Sequence, residues 1–254
     1  MNIERVLAII VGVGLVGWVL DAAIRNFMLP RSSRVRLTGW VAKAVAWPLH
    51  KVASPRRSYR FRDRVLAMRS PLTLLAFQAT WLFVVFVGFA LIFWGVAGIG
   101  WREAIRESGS ALFTIGFATP EGGVPLFLVF TEAIIGLTLM ALLISYLPTI
   151  YQAFSRREAT VALLELRAGT PPTAACLLGW LNHDGSVQND DQQWAAWEQW
   201  FVEIEESHTS LPILSFFRSP QPGRSWVTAA DLILDAAAVI ISGRGPIIPV
   251  RWLA

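Results

Sequence analysis

The sequence predicts an all-α membrane protein, with three transmembrane helices followed by a cytoplasmic helical domain. Three observations lead there. Hydrophobic side chains make up 54% of the 254 residues and charged ones 16%, whereas a soluble domain carries about 25% charge. The apolar residues gather in a few long blocks instead of short periodic runs, and the mean hydropathy is +0.50, as expected of a lipid-facing chain. Lys and Arg are concentrated in one stretch between the first two blocks. The 12 Trp residues, many beside those blocks, suit amphipathic rings at a membrane interface.

The first block runs from about Val6 to Leu20 and on to Ala23, between Glu4–Arg5 and Arg25. It is just long enough to cross a bilayer once its flanks are counted. A secretory leader would need small residues for cleavage after the block, and Asp21, Arg25 and Asn26 stand there instead. Gly12, Gly14 and Gly17 match G-x-G-x-x-G, but a dinucleotide fold also needs a second strand with an acid about 20 residues on. Met28-Leu-Pro-Arg-Ser-Ser-Arg34 offers neither. Residues 1–29 are therefore expected to form a peripheral transmembrane helix that uses its glycines for close packing.

Residues 30–70 form a basic linker. Eleven Lys or Arg lie between 31 and 69 against one acid, Asp63. Between two apolar blocks this is the positive-inside signal, so the linker is expected to be cytoplasmic. The part around Trp40, Val41, Val45 and Trp47 suits an interfacial helix with its basic side chains toward anionic lipid. Nucleic acid is not an expected partner.

The second block, 72–98, has no charge, and Pro71 suits a first helical turn. The third, 124–151, is apolar except for Glu132 and is closed by Arg156 and Arg157. With the linker inside, the amino terminus lies outside, the 99–123 connection is also outside, and the tail is cytoplasmic. The connection has no basic excess and the third block is followed by two Arg, so three charge counts agree. The expected location is the plasma membrane, as a multi-pass protein.

Within 101–123 a short, charged helix over 102–113 precedes Thr114-Ile115-Gly116-Phe117-Ala118, and Thr119-Pro120 then prevents helix continuation. This arrangement resembles the potassium-channel pore family. The family's unit is an outer helix, a short pore helix entering from outside, a Thr-Val-Gly-Tyr-Gly filter and an inner helix. Thr114, Ile115, Gly116 and Phe117 match the first four filter places, with Ile for Val and Phe for Tyr. The likeness covers roughly 72–152, a pore domain (71–152) made of outer helix 72–98, pore helix 102–113, filter strand 114–118 and inner helix 124–151. It implies a re-entrant loop, one per subunit of a homotetramer, whose backbone carbonyls replace the hydration shell of a permeating monovalent cation. That cation is K+, with Na+ as the other candidate. Glycine gives the carbonyl its freedom to turn inward, and Ile115 and Phe117 are expected to wedge against the pore helix. Ala118 stands where the family has glycine and Thr119 where aspartate is common, so Ala118 is expected to be strained or to shift the strand, and strict preference for K+ is in doubt.

Glu132 lies about two turns into the third helix, where an ionisable group is expensive and usually functional. It is expected to support the filter through Ser108, Ser110 or Thr114, or to face the ion path. Ser110 is a second filter-support candidate. Gly136 is a candidate inner-helix hinge, with close packing the equal alternative. Pro148 is expected to mark the exit from the membrane.

The tail, 153–254, is expected to be a cytoplasmic helical domain. Its helices are 156–168, 173–181, 190–207 with Trp194, Trp197, Phe201 and Ile204 on one face, and 228–242, too short to cross a bilayer. Cys176, the one cysteine, excludes a disulfide framework, and His183 beside Asp184 is a weak metal pair. No cofactor is expected, and no nucleophile, base and orienting group stand in a recognisable relation, so an enzyme is not expected. The expected function is cation conduction. The alternative is a non-conducting membrane scaffold or sensor acting through its tail.

Overall fold

The structure is a computed structural model that describes residues 2–28, 36–118, 120–169, 171–182, 191–219, 221 and 224–244. Every regular element among them is helical. In chain order these are α1 (Ile3–Met28), α2 (Arg36–Val52), α3 (Tyr59–Ala67), α4 (Arg69–Val96), α5 (Trp101–Leu112), α6 (Gly123–Ala168), α7 (Ala174–Leu181), α8 (Asp191–Ser210), a 3-10 turn (Pro212–Phe216) and α9 (Trp226–Arg244). Three stretches among the described residues are long and apolar enough to cross a membrane: Ile3–Arg25, Tyr59–Val96 and Gly123–Ala168. The chain divides into two units. The first holds Met1–Arg56 and Met68–Thr149, the second Arg57–Ala67 and Ile150–Ala254.

In the first unit α1 lies along α4, and glycine sets how close they come. A Cβ on Gly12 would stand 2.5 Å from the Gly88 carbonyl oxygen, and one on Gly95 would stand 2.8 Å from the Arg5 carbonyl. Backbones can approach this closely only where side chains are missing. Of the three glycines in the G-x-G-x-x-G match, Gly12 alone lies on this seam, since Gly14 and Gly17 would meet nothing within 4 Å. The Arg5 guanidinium donates to the Gly98 carbonyl at 3.2 Å and lies 5.9 Å from the Trp94 ring, which stacks on Trp101 at 4.6 Å. Val19, Val85, Phe93 and Leu139 are fully buried at the centre of this unit. The expected interfacial helix corresponds to α2, which leaves Trp40 and Trp47 exposed with the Lys51 ammonium 3.9 Å above the Trp47 ring.

The second unit has its own core of Leu164, Leu177, Trp197, Trp200, Leu232 and Ala236. Three boundaries differ from the sequence reading. The inner helix (124–151) and the tail helix (156–168) are one helix, α6, which runs through Pro148. Proline removes one backbone hydrogen bond and crowds the preceding turn, but the apolar pattern continues on both sides, with Leu143 and Ile150 buried. Pro148 therefore does not mark a helix end. Residues 57–67 were expected in the linker but belong to the second unit, with α3 over 59–67, and Asp63 accepts there from Arg218 at 2.6 Å. The division also falls at 149/150 and not at 152/153. His183 and Asp184 lie outside the described residues.

Arg157 is buried in this second unit. Its guanidinium donates to Glu158 at 2.9 Å, to the Leu214 carbonyl at 3.2 Å and to the Phe217 carbonyl at 2.9 Å. It also lies 5.6 Å from the Trp226 ring. Its backbone carbonyl accepts from Trp200 Nε1 at 3.3 Å. Burial is tolerable because partners surround the charge. His208 completes the cluster, with Nδ1 donating to the Ile204 carbonyl at 2.8 Å and Nε2 3.4 Å from Arg157.

Two predictions follow from this packing. Gly12→Ala forces a methyl against the Gly88 carbonyl and is expected to destabilise the first unit by about 1–3 kcal/mol. Gly14→Ala, placed in open space, is expected to be neutral, and thermal unfolding in detergent compares the two. Burial pushes the His208 pKa below its ordinary value; the Ile204 carbonyl opposes this and the Arg157 charge adds to it. The folded value therefore lies below the unfolded one. The stabilisation is full above about pH 6.5 and is lost as pH falls from there through the folded value. Unfolding followed by tryptophan fluorescence across that window is expected to show this loss in the wild type and a flatter response in His208→Gln.

Candidate functional site

α5 is short because its sequence stops it. Gly100 caps its start in an extended conformation and Glu103 sits in the first turn, where an acid suits the helix dipole. Ala104, Ser108 and Ala111 on its buried side are small residues that let it lie close to its neighbours, and Leu112 is buried at its end. At its carboxyl end the Thr114 N–H donates to the Ala111 carbonyl and the Ile115 N–H to the Ser110 carbonyl, both at 3.0 Å. These two bonds, with Thr114 at φ +54°, form a Schellman cap. Glycine normally occupies that place. A β-branched threonine there is strained by about 1 kcal/mol, and it is the one non-glycine positive φ among the described residues.

Two residues on, Gly116 has φ +75°, while Ile115 and Phe117 keep negative φ. The sign of φ thus alternates over 114–117. Residues 114–118 are therefore not the strand the sequence led us to expect. The positive φ at Thr114, required to close α5, breaks the extended path at its first residue.

Ala118 departs from expectation in the other direction. Its φ is not positive, so it carries no left-handed strain. Its N–H donates to Ser110 Oγ at 3.0 Å, and that hydroxyl lies 3.4 Å from the Ala118 carbonyl. Ser110, buried in the last turn of α5, thus ties the far end of the segment to the helix that launches it. The expected wedge is absent in the single chain: Ile115 is 64% and Phe117 53% exposed, and Phe117 has only the Arg106 guanidinium 5.8 Å from its ring. Nothing in a single chain covers Ile115 once Thr114 has turned the backbone away from α5.

Glu132, on α6, is 0% exposed. Its Oε1 lies 2.6 Å from Ser108 Oγ, which also donates to the Phe86 carbonyl of α4 at 3.0 Å. Of the three partners considered for Glu132, the structure selects Ser108. One turn further along, a Cβ on Gly136 would stand 2.9 Å from the Leu112 carbonyl, and α6 runs unbroken there. The geometry gives Gly136 a packing role, with the end of α5 seated on it.

One feature of α6 escaped sequence reasoning. Thr131, Thr138 and Ser145 are spaced by seven residues, which keeps them near one line on a helix with a drift of about 20° per step, and Thr149 falls on the same line. Each hydroxyl bonds a carbonyl of its own helix, Thr131 to Phe127 at 2.8 Å and Thr138 to Ile134 at 2.7 Å, Ser145 to Leu142 at 3.0 Å and Thr149 to Ser145 at 3.5 Å. The spacing was available in the sequence as a polar line on an apolar helix.

Among the described residues no three His, Cys, Asp or Glu stand close enough to share a metal. The oxygens offered by 113–118 are backbone carbonyls and a threonine hydroxyl, hard donors suited to an alkali cation. No family model, curated protein or solved structure matches this chain.

Removing the Ser110 hydroxyl frees the Ala118 amide. Ser110→Ala is expected to cost about 1 kcal/mol locally and to speed amide exchange at Ala118 about fivefold. Hydrogen exchange read at that residue is the check.

Proposed function

We propose that the chain is one subunit of a homotetrameric cation channel, with K+ as the expected ion. The observation that supports this is the 114–118 segment: exposed over 114–117, alternating there in the sign of φ, tied at both ends to α5, and placed between two helices apolar enough to cross a membrane. A bare alkali cation in a low-dielectric layer needs several oxygen ligands at once. One segment presents too few to surround an ion, and four around an axis complete the shell. The re-entrant course of α5 and the 114–118 filter belong to this reading, as does the cation itself.

The surface of α6 supports it. Phe127, Phe130, Ile134, Leu137 and Ile144 are exposed in the single chain, and such a face requires lipid or protein against it. The line through Thr131, Thr138 and Ser145 gives α6 a second, hydroxyl-bearing strip suited to water. With the basic 31–69 segment inside, the amino terminus lies outside and the second unit is cytoplasmic, in the plasma membrane. The Trp47–Lys51 pair on α2 suits the headgroup region, where the cation meets anionic lipid.

Ion flux from liposomes tests the assignment. The wild type is expected to pass K+, with Na+ measured beside it, and Gly116→Asp is expected to cut flux about tenfold or more by blocking the carbonyl ring. Equal flux in both would sink the filter assignment. The mass in detergent is expected to be that of four copies; one or two copies would favour the scaffold reading.

A further inference from the structure

We propose that Glu132 works as a neutral hydrogen-bond donor, a positioning residue that holds α5 between α4 and α6 and thereby sets the 114–118 segment; its effect on ions rests on the channel reading, its hydrogen bonding does not. Ser108 Oγ carries one hydrogen, yet it lies 2.6 Å from Glu132 Oε1 and 3.0 Å from the Phe86 carbonyl. A carboxylate and a carbonyl both accept only. Both contacts are hydrogen bonds when Ser108 donates to Phe86 and the carboxyl of Glu132 donates to Ser108.

The surroundings agree. Ser108 and Glu132 are both 0% exposed, Glu132 Oε2 has no hydrogen-bond partner, and no ion pair among those of the described residues involves Glu132. A buried carboxylate with one hydrogen bond and no cation is far costlier than a buried acid. The sequence left Glu132 as a filter support, a group on the ion path or a carboxylate near enough the surface to stay wet, and its burial excludes the last. On this proposal it takes the supporting role, and takes it without its charge.

The relay crosses three helices in sequence, from α6 through α5 to α4. Ser108 and Ser110 are two residues apart, so they point about 200° apart on α5. Ser108 fixes one side of that helix to the bundle, and Ser110 on the other side holds Ala118. Release of the Ser108 clamp lets α5 rotate or slide, and the displacement passes through Ser110 to the segment.

The test has two arms. Infrared difference spectra of wild type against Glu132→Gln in liposomes at neutral pH are expected to show loss of a protonated carboxylic-acid C=O band. Loss of a carboxylate band in its place overturns the proposal. In the second arm the K+/Na+ flux ratio is measured on variants that assemble with wild-type mass. Glu132→Gln keeps an amide donor and is expected to match the wild type, while Glu132→Leu and Ser108→Ala are expected to lower the ratio about threefold or more. An unchanged ratio in assembled Ser108→Ala overturns the positioning role, and this variant decides alone where Glu132→Leu does not assemble. A wild type that passes no ion removes the channel reading. The infrared arm, with amide exchange at Ala118 in Ser108→Ala expected to quicken, then still decides the clamp.

Discussion

A polar group inside an apolar helical bundle has no water to turn to, and the whole α4–α5–α6 region is built around that constraint. Glu132, Ser108 and Ser110 are all buried, and each finds its partner on a different segment of the chain. Ser108 reaches α4 and α6 at once, while Ser110 reaches Ala118. Alanines in these places would fit the same space but would leave α5 without a directional tie to its neighbours. A hydrogen bond made in a dry setting has a direction, and leaving it unmade costs about 1–3 kcal/mol. The polar triad thus converts a short amphipathic helix, which could slide, into one with a single position. Thr114 depends on this, because a strained cap persists only where the surroundings over-determine it.

Glycine performs the complementary task of bringing backbones together. Gly12 with Gly88 on the α1–α4 seam, and Gly136 beneath the Leu112 carbonyl, are the contacts where any side chain would collide. At these glycines the helices run unbroken and the missing Cβ is used for proximity. This bears on the hinge idea. A glycine wedged under a neighbouring carbonyl is held by that contact, and a bend there would first have to lift α6 off α5.

Much of the architecture was legible in the sequence because it follows from long-range composition. Block length, charge-poor runs and the basic segment predict three apolar helices with a short charged one between the last two, and α1, α4, α5 and α6 lie there. The tail helices were legible from caps and breakers: Thr173 accepts from Cys176 N–H at the start of α7, and Gly169 ends α6 at φ +79°. What was not legible turns on local competition. Pro148 is a helix breaker by propensity and a helix interior in fact, since continuing apolar faces outweighed one lost bond. The 114–118 segment was expected to be extended, but the need to cap α5 placed Thr114 in the left-handed region. Trp200 was overlooked beside Trp197, because its burial depends on the Arg157 carbonyl it meets across 43 residues of chain.

The two candidate supports of the segment differ in kind, and the difference concerns how a filter of main-chain oxygens could be tuned. On the proposed reading, the ligands themselves are backbone atoms and cannot be substituted by mutation. Selectivity must then be carried by whatever fixes the distance between opposing carbonyls. Ser110 acts on one end of the segment directly and Thr114 on the other through its cap, so both set local shape. Glu132 acts from α6 through Ser108 and sets where the whole of α5 stands. On that reading a displacement of α6 at the level of Glu132 reaches the carbonyls along this relay, beside the packing of the Leu112 carbonyl on Gly136. On the same proposal, an acid suits this buried place because its carboxyl supplies the second hydrogen that a serine bridging two acceptors lacks.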